Sequence, residues 1–169
     1  MINVQHFRNY PIFKNLTDTE LEQIYSIMNF KTFEKGVKII KDGDKGDRTF
    51  ILIKGEVEIS KPLTLIQPHS GEVGSADKAL IRLKEEFYPC VGEMVLFGDE
   101  SVRSASVTTT KKCEFAILKK DDFLVLAEKN NSIGYKVMKN LAGIIGDRLK
   151  KANQDILKLT TAFSLALER

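Results

Sequence analysis

Hydrophobic positions follow three rhythms along this chain. In LTDTELEQIYSIM, Leu21, Ile24, Tyr25 and Met28 recur at helical spacing behind Thr17-x-x-Glu20, a capping box. Such a box satisfies the first free N–H groups of a helix, so the pattern predicts a helix over about 17–28. Short alternating runs follow. TFILIKGEVEIS sets Val57 and Ile59 between Glu56, Glu58 and Ser60, ALIRLKEEF alternates Ile81 and Leu83 with charges, and KCEFAILKK alternates Cys113, Phe115 and Ile117. Alternation with period two is the mark of half-buried strands. Turn-forming residues separate these runs at KDGDKGD and within KPLTLIQPHSGEVGSADK. Many short strands with frequent turns predict an antiparallel barrel or jelly roll. The connection 61–78 is long, contains Pro62 and Pro68, and reads as a mobile hairpin excursion.

From about Asn131 the strand pattern stops and no proline occurs. Tyr135, Met138, Ala142, Ile145, Leu149, Ala152, Ile156, Leu159, Phe163 and Ala166 recur at spacings of three and four. This is an a/d stripe over about four heptads. Its first turns are expected to lie on the protein's own barrel. Beyond Leu149 a compact domain has little surface left to cover the stripe, which predicts a helix paired with a second copy. Gly134, Gly143 and Gly146 weaken this helix locally and are read as sites of bending. The chain thus divides into 1–130, a β-roll with a leading helix, and 131–169, a long dimerisation helix.

Composition narrows the function more than the fold. With 43% hydrophobic and 29% charged residues, 169 residues suffice to bury a core. Twenty-six basic residues against 23 acidic give a net charge of only +3, too balanced for a surface built mainly to hold nucleic acid. MINVQHFRNYPIFKN contains no apolar signal region and no stretch is long enough to span a bilayer, so no membrane role and a cytoplasmic location are expected. Cys90 and Cys113 form no CxxC motif and read as buried apolar residues. The only histidines are His6, near the terminus, and His69, in the long connection. That leaves no metal-ligand set and no Cys-His or Ser-His-Asp constellation, and argues against an enzyme and against any cofactor.

One stretch carries chemistry. In VGEMVLFGDESVRSASV, Arg103 interrupts a run of small residues, SVRSASVTT, that reads as a strand with Arg103, Ala105 and Val107 on one face. A guanidinium does not shed its charge, so an inward-facing arginine needs an anion. Two candidates stand. One is Glu93, in an internal ion pair. The other is a phosphate held at the turn that begins at Gly92-Glu93 and that Gly98 would end, where glycine allows close approach and free backbone N–H groups favour an anion. Glu93 would then accept from a sugar hydroxyl, and the pair would describe a nucleotide pocket.

GEMVLFGDESVRSASV resembles the phosphate-binding cassette of cyclic nucleotide-binding domains of the catabolite activator type. KIIKDGDKGDRTFILIKGEVEI resembles the family's upstream strand, with Gly43 and Gly55 at its turns. The resemblance covers about 12–150. It implies a mainly β fold, a double-stranded β-helix or jelly roll with an N-terminal helix, a short cassette helix and a long C-terminal helix. It also implies cAMP or cGMP as ligand. Arg103 would hold the cyclic phosphate, assisted by the Ala105 N–H and the Ser104 hydroxyl. Glu93 would bind the ribose 2′-hydroxyl, the backbone of Gly92 and Met94 would line the sugar, and Val91 and Val95 would supply an apolar wall. Asn153, next to Ala152 on the central helix, would meet the base. The approach to the cassette departs from the family pattern, with Tyr88, Pro89 and Cys90 where a glycine is usual. Within these residues no winged helix-turn-helix follows the central helix, so no DNA-binding domain is expected. The expected function is a stand-alone cyclic nucleotide sensor that forms a homodimer through its C-terminal helix and acts on a separate protein effector. The alternative is a degenerate member serving as a dimerising scaffold without ligand.

Overall fold

A computed structural model describes residues 3–66, 73–97 and 102–167. The leading helix, α1 (Asp18–Ser26), begins as the sequence predicts. The Thr17 hydroxyl accepts from the Glu20 N–H at 3.3 Å, and the Glu20 carboxylate accepts from the Thr17 N–H at 2.7 Å. It ends at Ser26 rather than Met28, because Ile27 leaves helical geometry (φ −101°, ψ 1°). Leu21 and Ile24 are nevertheless buried, as is Met28.

Eight strands follow among the described residues: β1 (Asn29–Phe33), β2 (Lys38–Ile40), β3 (Arg48–Lys54), β4 (Glu56–Ile66), β5 (Val73–Lys84), β6 (Cys90–Val91), β7 (Ser106–Thr109) and β8 (Cys113–Lys119). They form two antiparallel four-stranded sheets, ordered β1-β8-β3-β6 and β2-β7-β4-β5. Side-chain alternation on β8 divides the interior in two. Cys113, Phe115 and Ile117 join Phe50, Leu52, Val57 and Val107 between the sheets, while Ala116 and Leu118 point the other way, toward a helical layer. The continuous apolar run FILI on β3 has the same cause, since both of its faces are covered.

The connection 61–78 is a hairpin, as expected, and most of it is strand. Pairing runs from Lys61↔Lys78 to Ile66↔Val73, and only Val57–Ser60 of β4 also pair with β7. The tip, with Pro68 and His69, lies outside the described residues.

A helix that the sequence reading missed, α2 (Lys120–Lys129), follows β8 directly and leads into α3 (Asn131–Leu167). The latter is one 37-residue helix that runs through all three of its glycines. Its packing corrects the expected face. Ile133, Val137 and Leu141 are fully buried against Phe7, Tyr10, Ile12, Leu21 and Phe123, whereas Tyr135 is 66% exposed. The i, i+4 row seats the helix, and the a/d stripe runs beside that row, with Met138 and Ile145 partly buried and the positions from Leu149 onward exposed.

Polar contacts fasten this seat. The Glu20 carboxylate accepts from Ser132 Oγ at 2.6 Å and from Lys136 Nζ at 2.7 Å, and Asn140 Nδ2 donates to the carbonyls of Ile12 and Lys14. Burial would raise the Glu20 pKa, but the Lys136 ammonium, the Ser132 hydroxyl and the Thr17 donors outweigh it and hold the value at about 2. The folded-state value lies below the ordinary one, so this stabilisation is complete above roughly pH 5 and fades as pH falls toward 2. Glu20→Gln is expected to cost about 1–3 kcal/mol at neutral pH. It should also flatten the acid limb of stability against pH, measured by urea denaturation from pH 7 to 2.

Candidate functional site

Strand β6 pairs with β3 through Val91↔Phe50 and Cys90↔Ile51, which delivers Gly92 to the edge of the sheet. Gly92 takes a left-handed conformation, φ +71°, open to glycine at little cost. The chain then makes a four-residue 3₁₀ turn, Glu93–Leu96, shorter than the helix the motif implies. Val95 and Leu96 anchor this turn in the core beneath the helices. The unusual approach sequence has a conformational counterpart in Tyr88, which is itself left-handed at φ 48°. Gly98, expected to end the turn, lies outside the described residues.

Opposite this turn, Arg103 is not in a strand. The ladder of β7 starts only at Ser106, and Val102 forms an isolated bridge with Lys45. Residues 104–105 bend, so Arg103, Ala105 and Val107 do not share a strand face. Two backbone bonds impose this geometry: Arg103 N–H donates to the Asp44 carbonyl at 2.8 Å, and the Arg103 carbonyl accepts from Gly43 at 2.9 Å.

Between the two segments lies a cavity of about 420 Å³. Val91, Gly92, Glu93, Met94, Val95, Arg103, Ser104 and Ala105 all line it, so eight of the nine residues expected at the site meet there. Ile40, Ile59 and Val107 extend its apolar wall, and Met94, Phe97 and Val102 stand at it exposed. Asn153 is the exception. It sits on the exposed half of α3, in a surface groove with Leu149 and Leu157, and not among the residues around this cavity.

The two charges at the centre are both satisfied, but not by each other. Glu93 is 3% exposed and its carboxylate pairs with Arg148, which reaches over from α3 with its side chain 55% exposed. Arg103 instead donates from Nη1 to the Gly92 carbonyl at 3.0 Å and from Nη2 to the Arg48 carbonyl at 2.7 Å. The internal Glu93–Arg103 pair is therefore not formed. Burial pulls the Arg103 pKa down, against the pull of the Asp47 and Glu93 carboxylates, but a guanidinium remains charged. Sequence reasoning missed Arg148. Its one signal was a position beside Leu149, at the edge of the apolar stripe.

The chemistry this site can perform is binding: a cation, a carboxylate and a hydroxyl line one apolar chamber. Cys90 lines it, but burial and the Glu93 carboxylate push its thiol well above its usual range, which disfavours the nucleophilic thiolate. Among the described residues no group of three or more His, Cys, Asp or Glu side chains could hold a metal ion. No described helix is long and apolar enough to cross a membrane.

A family model of the cyclic nucleotide-binding domain matches residues 30–130. The chain is similar to glutaminase 1 of Bradyrhizobium diazoefficiens, 28% identical over 151 residues that make up 89% of this chain and 22% of that protein. It is also similar to the cyclic AMP receptor protein of Thermus thermophilus, 26% identical over 147 residues, 86% of this chain and 60% of that protein. It therefore spans less than two thirds of either. A cyclic nucleotide-binding domain from Methylobacillus flagellatus shares the fold, with a TM-score of 0.73 at 22% identity over 91% of this chain and 84% of that one.

Removing Arg148 would strand a buried carboxylate. Arg148→Ala is expected to cost about 1–3 kcal/mol, below the value for a wholly buried pair because the guanidinium is half in water. Adding Glu93→Gln should recover part of that loss, with a coupling of about 1 kcal/mol or more in a double-mutant cycle by urea denaturation. Strictly additive losses would show that the two side chains act independently.

Proposed function

Because the chain belongs to the cyclic nucleotide-binding domain family, we propose that it is a non-catalytic sensor of cAMP or cGMP, built on a jelly roll and signalling through its C-terminal helix. The observation that carries this reading is the convergence of Gly92, Glu93, Arg103 and Ser104 on one cavity of about 420 Å³, of a size suited to a small ligand. The cyclic phosphate meets Arg103, with the Ala105 N–H and the Ser104 hydroxyl beside it. Glu93 accepts from the ribose 2′-hydroxyl, the backbone of Gly92 and Met94 follows the sugar, and Val91 and Val95 pack against it. The base lies toward the apolar side, and Asn153 meets it only when α3 closes on the cavity.

Arg148 makes binding and signalling one event. A ribose hydroxyl that takes Glu93 competes with the guanidinium already there, so ligand changes how the helix is held. A ligand moves such an equilibrium by no more than its preference for one arrangement.

The helix then acts through a second copy. Leu149, Ile156, Leu159 and Phe163 are between 61% and 71% exposed, and with Ile145 and Ala152 they form a seam that a parallel homodimer would cover. A protein effector reads the altered dimer.

One observation favours the other reading, a scaffold that binds no nucleotide: Glu93 and Arg103 both already have partners within the chain. Ligand titration separates the two. At a hundred times its dissociation constant, a nucleotide should stabilise the fold by about 2.7 kcal/mol, a rise of roughly 5–10 °C in Tm for a chain of this size. Arg103→Gln should weaken binding by about 2–3 kcal/mol. If millimolar cAMP and cGMP both leave the Tm unmoved, the scaffold reading stands.

The seam has its own test. Replacing Leu149 and Ile156 with glutamate places like charges across it and should give a monomer whose barrel melts normally. Light scattering of dilute wild-type protein is expected to report a dimer, and a monomer there would leave the stripe as a face for some other partner.

A further inference from the structure

We infer that Gly46 is a positioning residue for Arg103: the missing side chain at position 46 sets where the guanidinium stands, and so where the cavity can hold an anion. No motif pointed to it. Gly46 lies in the turn before β3, and unlike Gly36, Gly43, Gly55 and Gly92 it does not have a positive φ. Its backbone therefore does not require glycine. What requires glycine is space, because a Cβ built there would overlap Nε, Cζ and Nη2 of Arg103. On the other side a Cβ at Gly92 would overlap Nη1. The guanidinium thus runs between two stretches of backbone without side chains, close enough to donate to the Gly92 and Arg48 carbonyls. Those two bonds fix the plane of its fork, and a planar fork binds an anion well only in the right orientation.

Gly46 and Gly92 differ in what a methyl group would disturb. At Gly92 an alanine would be strained by its left-handed backbone and would also press on Ile40 Cδ1 at 2.9 Å. At Gly46 the atoms in the way are the far end of one flexible side chain, and that side chain can move. Gly46→Ala should therefore leave the fold intact and displace the guanidinium from its carbonyls. In the proposed sensor, on which the ligand part of this inference rests, the displaced fork meets the cyclic phosphate badly.

The test is a double-mutant cycle of Gly46→Ala and Arg103→Lys with two readouts. The first is the Arg103 Nε–Hε resonance of ligand-free, ¹⁵N-arginine-labelled protein, assigned by its loss in Arg103→Lys. The second is the Kd for cAMP and cGMP by calorimetry. Gly46→Ala is expected to shift the resonance, leave the urea midpoint near that of wild type, and raise the Kd about ten- to a hundredfold. In the Arg103→Lys background, where there is no fork to displace, it should change the Kd little. An unmoved resonance overturns the inference, as does an equal loss of affinity in both backgrounds, which would make Gly46 a matter of the fold. If wild-type protein binds neither nucleotide, the sensor reading fails, and the resonance of the ligand-free protein still decides the role of Gly46.

Discussion

A carboxylate almost fully removed from water has to be neutralised, and in this protein that requirement binds the roll to its C-terminal helix. Glu93 follows Gly92 at the edge of the sheet, in a wall of apolar residues, and nothing on its own turn carries a positive charge. Its cation comes from Arg148, far along the chain and about two helical turns past Leu141, the last buried residue of α3. Leaving such a charge unpaired costs about 1–3 kcal/mol here, where the partner guanidinium is half in water, still a sizeable fraction of the stability of a domain this size. The helix is therefore held at two places by different means: apolar packing and the Glu20 network near its start, and a single ion pair near its middle. The first is large and dry. The second is half in water and open to competition from a polar ligand.

Local features of the fold were legible in the sequence, and contacts between distant segments were not. The capping box of α1 is complete within four residues, so Thr17 and Glu20 announce it. Strand alternation in β8 is likewise a neighbour-to-neighbour property, and it reported the face between the sheets correctly. SVRSASVTT failed as a strand because whether a segment joins a ladder is decided by its partner. Arg103 bonds to the turn at Gly43–Asp44 instead, some sixty residues earlier. The heptad stripe of α3 is real, yet the sequence reading seated the first turns of the helix on it. Ile133, Val137 and Leu141 form a competing i, i+4 row, and the shape of the helical layer beneath selects between them.

The binding site divides in the same way. Residues of the cassette motif reach one cavity because they lie on two short segments that close on each other, and the spacing between Glu93 and Arg103 encodes that closure. Arg148 and Gly46 were invisible for opposite reasons. Arg148 is one charge among several in DRLKK, ordinary for a solvated helix face until the position of the roll is known. Gly46 acts by absence, and an absent side chain has no pattern. Asn153 shows the converse: a motif position on a helix brings a residue to the cavity only if the helix lies at the right height and angle, and here it lines a separate groove.

Both charges of the site already have partners within the chain, and this bears on what a ligand must do. Arg103 rests on two neutral carbonyls, which orient a guanidinium without cancelling its charge, so an anion arriving there meets a fork already aimed. Glu93 rests on a full positive charge, so a hydroxyl arriving there trades against a stronger bond. In the proposed sensor the Arg103 end of the cavity is thus preorganised for a phosphate and the Glu93 end is contested. A nucleotide would draw most of its affinity from the first and lose some at the second. In the proposed sensor that loss is not waste, because the free energy spent in displacing Arg148 is a part of binding that the helix can feel.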